Sequence, residues 1–155
     1  MAFHLANRAE NENEEEVAAL IIHDRPPNFE LIKAAFPGAE KPGVIFAYDG
    51  NIYHPTGGVI PPALIAHEEV HLKRQIMHGA DIWWDHYLRD SAFRYHEELL
   101  AHVAEFNMQK VTKDRNFGAA LLMRTAMRLV APLYNYQPPR TLQEAMKDLR
   151  EEIAK

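Results

Sequence analysis

The chain contains no cysteine among its 155 residues. Disulfides and thiolate metal sites are therefore excluded, and any metal here must be held by His, Asp and Glu. Positive charge is also scarce: 17 Lys and Arg stand against 22 Asp and Glu, for a net charge of −5. That balance gives no electrostatic basis for binding nucleic acid. Nowhere does an apolar run approach the ~20 residues of a membrane span. The opening "MAFHLANRAENENEEE" lacks the basic-then-apolar order of a secretory signal. A cytoplasmic protein is the expectation from these absences. What the chain does have is nine histidines, and a length that suits one compact domain with a real core.

Residues 10–16 (five Glu and two Asn) read as a solvated leader that cannot pack. The expected organisation is therefore an acidic flexible leader over 1–16 and a single domain over 17–155, with an assembly partner as one candidate for ordering the leader. The apolar run 17–22, bounded by Pro26-Pro27, predicts a strand. Asn28 is placed to cap a short helix over 29–36, stopped by Pro37-Gly38. In "GVIFAYDGNIYHPTG", β-branched and aromatic residues at 44–48 and 52–54 flank Asp49-Gly50, which predicts a hairpin. Pro61-Pro62 then suit the first turn of a helix over 62–77, with Gly79 as its stop. "ADIWWDHYLRD" supplies aromatic packing anchors, Trp83 and Trp84 among them. Further helices are expected over 91–110, across the aliphatic stretch ending at Pro132, and from a Thr141 cap to the C-terminus. The fold class is α+β: a small N-terminal sheet followed by helices.

The helix over 62–77 carries "HEEVH". Four residues apart, His67 and His71 lie one turn apart on the same face, so both imidazoles can meet one ion. Glu68 is placed to contact a water at that ion rather than the ion itself. This is the division of labour of hydrolytic zinc, in which the metal acidifies a water and a carboxylate removes its proton. Such chemistry needs a third protein ligand. The helix "FRYHEELLAHVAEFNMQK" offers candidates. With Leu99, Val103 and Phe106 as its core stripe, Glu98, His102 and Glu105 form an adjoining polar strip, while Glu97 falls on the other flank. Glu98 is the preferred third ligand, with Glu97 or His102 as alternatives. His102, one turn after Glu98, is placed to support a ligand or to steady a transition-state oxyanion as a catalytic residue. Glu105 is placed to orient a ligand imidazole through its other nitrogen. Tyr95, His54, His86 and Tyr87 are further candidate proton donors. His4, His23, His78 and His96 read as surface residues.

The pattern resembles the gluzincin branch of zinc metallopeptidases, whose HExxH motif is completed by a glutamate on a later helix. At this length it is similar to the single-domain minigluzincins and to small metallopeptidases of bacterial and phage genomes. Ile52-Tyr53, Trp83-Trp84, Phe93-Arg94, Glu98 with Ala101, and Pro132-Leu133-Tyr134 extend the likeness over residues 17–150. The resemblance implies a zincin-like fold with an active-site helix and a ligand helix. It implies Zn2+ on His67, His71 and Glu98, with Glu68 as general base. It also implies a peptide or protein substrate, added as a strand to an edge supplied by residues 44–54.

The leading expectation is a zinc-dependent metallopeptidase hydrolysing amide bonds. Two other readings share these residues. One is a structural or assembly protein, such as a phage virion component, that retains a zincin fold; its location would be virion-associated. The other is a regulatory protease that cleaves one protein partner.

Overall fold

The computed structural model describes residues 18–110 and 115–155. The leader expected over 1–16 and His4 lie outside them. Strand β1 (Leu20–Ile22) is followed by helix α1 (Phe29–Ala35), then strands β2 (Phe46–Tyr48) and β3 (Asn51–Tyr53). Five helices complete the chain: α2 (Pro62–His78), α3 (Ala80–Arg89), α4 (Ser91–Gln109), α5 (Arg115–Leu129) and α6 (Leu142–Ile153). Short 3₁₀ turns occupy Pro37–Glu40 and Pro132–Tyr134. The fold is α+β, as expected, and mostly helical. Among the described residues no helix is long and apolar enough to cross a membrane.

The sheet has the order β1-β3-β2, with β1 parallel and β2 antiparallel to the central β3. Asp49 (φ 43°) and Gly50 (φ 82°) both take left-handed backbone, the requirement of the tight turn that matches strand twist. The strands are shorter than the sequence suggests. Val44 N–H is taken by the Lys41 carbonyl and His54 N–H by Ile22, so neither extends the hairpin ladder. Asn28 stands at the start of α1, but its side chain makes no capping bond; its carbonyl accepts from Leu31 and Ile32 instead.

Pro62 opens α2 and Gly79 (φ 83°) closes it. The segment between the two long helices, marked in the sequence by its aromatic anchors, is helix α3. Its Trp83, Trp84 and Tyr87 fall on one face at helical spacing and pack with Phe29, Ile32, Phe36 and Phe46. Burial of that face holds the helix between Gly79 and Asp90. Asp90 caps α4 by accepting from Ala92 and Phe93 N–H at 2.9 and 3.0 Å. Thr141 and Glu144 form a reciprocal capping box on α6.

Three apolar clusters result. One joins α1, β2 and α3; a second joins the sheet to α2 through Ile52, Ile60 and Leu72. The third packs Leu99 of α4 against Ala126 and Leu129 of α5 and Ala145 and Leu149 of α6. Leu129 and Leu149 are completely buried, each worth about 1.5–3 kcal/mol. With the stripe of α4 turned to α5 and α6, its polar strip faces α2.

Candidate metal centre

His67, Glu68 and His71 are all buried on α2, and Glu98, His102 and Glu105 are buried on the facing side of α4. Burying six titratable groups between two helices is costly unless each finds a partner or a cation. Their geometry supplies both. Glu98 Oε2 lies 3.3 Å from His67 Nε2, and Glu98 Oε1 lies 3.2 Å from His71 Nε2. Two ligands of a tetrahedral zinc, each about 2.0–2.1 Å from the ion, stand about 3.3 Å apart. The donor set is two imidazole nitrogens and a carboxylate, a combination that suits zinc. Glu98 Oε2 has no hydrogen-bond partner although it is buried, as a ligand atom waiting for an ion would be. The residues therefore fit the metal.

A second group shares His67 through its other ring nitrogen. Glu105 Oε2 lies 3.3 Å from His67 Nδ1 and 3.2 Å from His102 Nδ1. These are hydrogen-bond separations, although the rings are turned off the line of the acceptor. His67, His102 and Glu105 could themselves hold an ion. The first group is favoured because His67, His71, Glu68 and Glu98 line a cavity of about 230 Å³, whereas His102 and Glu105 do not. Glu105 also has a cation already, since the Arg128 guanidinium donates to its Oε1. Glu105 lies on the Nδ1 side of His67, which leaves Nε2 on the side of Glu98.

Electrostatics follow from this enclosure. Burial works against charge on His67, but Glu105 and Glu98 outweigh it and push its pKa up to about 10. Burial also opposes ionisation of Glu98, yet His71 and His67 hold its carboxyl well below the usual range. His102 is driven the other way: burial dominates and lowers it to about 4, keeping the ring neutral. Glu68 is raised, chiefly by burial, with His67 and His71 opposing. A carboxylate raised in this way accepts a proton more readily than a free one.

Glu97, the alternative ligand, is elsewhere. Its oxygens accept from Arg74 Nη2 at 2.7 Å, Arg74 Nε at 3.0–3.1 Å and Trp83 Nε1 at 3.0 Å. Of the other candidate proton donors, Tyr87 lines the cavity and donates to Glu98 Oε1 at 2.5 Å. Tyr95 donates to Asp148, His86 is exposed, and His54 is buried beside Thr56 away from the cavity. His23, His78 and His96 are exposed, as expected.

Two contributors carry no role in the sequence reading. Tyr134 lines the cavity, with its hydroxyl 3.2 Å from His102 Nε2. The direction of this hydrogen bond follows the tautomer of His102. Buried Arg94 donates to the backbone carbonyls of Tyr87 at 2.6 Å, Tyr134 at 2.8 Å and Asn135 at 3.0 Å. One guanidinium thus fixes both tyrosines that border the metal ligands. The sequence signal was the pair Phe93-Arg94 and the "PLY" segment, without any indication that they meet. No protein-family model, curated protein or solved structure matches this chain.

Proposed function

We propose that the protein is a zinc-dependent metallopeptidase of zincin type, with Zn2+ held by His67, His71 and Glu98. The observation that carries this reading is the convergence of those three ligand atoms beside buried Glu68 at the wall of a cavity. A zinc ion bound there would supply Lewis acidity toward a carbonyl oxygen and toward water. The chain's own residues account for the rest. Glu68 accepts the proton of the attacking water and delivers it to the departing amine. Tyr134 lines the cavity, and its hydroxyl turns from His102 Nε2 to donate to the developing oxyanion. His102 serves beneath it, between Tyr134 and Glu105, rather than touching substrate. Glu105 fixes the ring of His67, and Arg128 holds Glu105. The edge of β2 borders the cavity and suits an extended peptide added as a further strand.

The test separates metal from base. Glu68→Gln should retain zinc and lose hydrolysis by about 10²-fold or more, while His67→Ala or Glu98→Ala should lose the ion. Peptide hydrolysis that survives both chelation and Glu68→Gln would refute the mechanism.

A further inference from the structure

The outer edge of β2 is open to the cavity along one half and sealed along the other. A two-residue turn makes Tyr48 and Asn51 the hydrogen-bonded pair next to it. Alternation along an antiparallel ladder then turns the N–H and C=O of Ala47 outward, and those of Ile45 likewise. The groups of Ala47 are already used. Its carbonyl accepts from Gln75 Nε2 at 2.9 Å and from Trp84 Nε1 at 3.1 Å, which occupies both lone pairs. Its N–H faces the Glu68 carboxylate. The next outward N–H, that of Asp49, donates to Gln75 Oε1 at 2.9 Å.

One side-chain amide therefore stands where a neighbouring strand would pair across 47–49. The Tyr48 hydroxyl, donating to Asp81 at 2.7 Å, ties the same end of the hairpin to α3. On the other side of Ala47, residues 43–46 line the cavity together with Glu68 and the metal ligands. An extended chain can thus pair with the edge at Ile45 but not beyond Ala47, which lies against the catalytic carboxylate. Antiparallel addition is the more stable and more frequent arrangement. It runs the added chain from the sealed end to the open end, so the amino terminus of the added chain meets the seal.

Resting on the peptidase reading above, we propose that the site is that of an exopeptidase acting at the amino terminus of peptides. It accommodates about one or two residues before the cleaved bond, at a rise of about 3.3 Å each, and a long chain after it. Water adds across that bond. The carbonyl carbon gains the hydroxyl, the C–N bond breaks, and the amine of the shortened chain takes the proton. Gln75 and Trp84 act as positioning residues that set this limit.

Two readouts on the zinc-loaded full chain test it. Mass spectrometry of a ten-residue peptide should show residues leaving from the free amino end; interior cuts, or release from the carboxyl end, would overturn the inference. Glu68→Gln protein, titrated calorimetrically, should bind a six-residue peptide at least tenfold more tightly than the same peptide extended by four residues at its amino end. Extension at the carboxyl end should change affinity by less than twofold. Equal binding of the two amino-end forms would also overturn the inference. Trp84→Phe, which keeps the ring and removes the donor, and Gln75→Ala should each narrow the tenfold gap. If the length preference holds and the wild type cuts nothing, the peptidase reading fails alone. Interior cutting refutes the exopeptidase limit alone.

Discussion

At the scale of single residues, six titratable side chains are buried together between α2 and α4. His67, Glu68 and His71 sit on one helix at a spacing that dictates their common face, and the phase of Glu98, His102 and Glu105 on α4 follows from where Leu99 and Phe106 point. Glu97 was separable from Glu98 by the same phase, and the structure gives it to Arg74 and Trp83. Tyr134 and Arg94 lie 40 positions apart in sequence and meet through the packing of α4 against the Pro132–Tyr134 turn. No local pattern encodes such a contact. Two consequences belong here. Glu105→Gln removes the charge behind His67 and should weaken zinc binding about 10- to 100-fold, measured by competition with a chromophoric chelator. Arg94→Met strands carbonyls at 87, 134 and 135 and should cost about 3 kcal/mol or more, seen as a lower urea midpoint with an unchanged slope. An unaltered midpoint would mean that those carbonyls find other partners.

At the scale of elements, caps and stops carried most of the legible fold. Pro62, Gly79, Ser91 and Thr141 marked helix boundaries that the structure keeps within a residue or two. Helix α3 was marked in the sequence only by its aromatic anchors; Trp83, Trp84 and Tyr87 stand at helical spacing, and their burial against α1 and β2 holds the ten-residue helix. Asn28 shows the reverse, a residue of capping type whose cap does not form. The Gly79 hinge should be sensitive. Its backbone (φ 83°, ψ 132°) is a glycine conformation, and a Cβ would meet only Ile82 at an ordinary 3.9 Å. Gly79→Ala should therefore cost about 1–3 kcal/mol through backbone strain alone. Thr141→Ala, remote from the metal, should cost about 1 kcal/mol and leave zinc affinity unchanged. Thermal melts with and without zinc distinguish the two.

At the scale of the molecule, the site lies between the sheet-side cores and the α4–α5–α6 core, so a metal bound there would couple to folding. Zinc at 100 times its dissociation constant should add about 2.7 kcal/mol to stability, and a chelator should remove it. Alkaline pH should act on a different set of groups. Tyr87, Tyr95, Tyr134 and Tyr136 all have pKa values raised above 10.0, chiefly by burial. Above pH 10 the unfolded chain releases these protons and the native chain keeps them, so stability falls as pH rises. Tyrosinate absorbance from these four side chains should accordingly appear together with loss of helical circular dichroism, not before it. The central claim is the identity of the metal ligands, and elemental analysis of purified protein addresses it most directly. One zinc per chain is expected in the wild type, in Glu68→Gln and in Glu97→Gln, and none in Glu98→Ala. Full zinc occupancy in Glu98→Ala, or none in the wild type after zinc loading, would contradict the account.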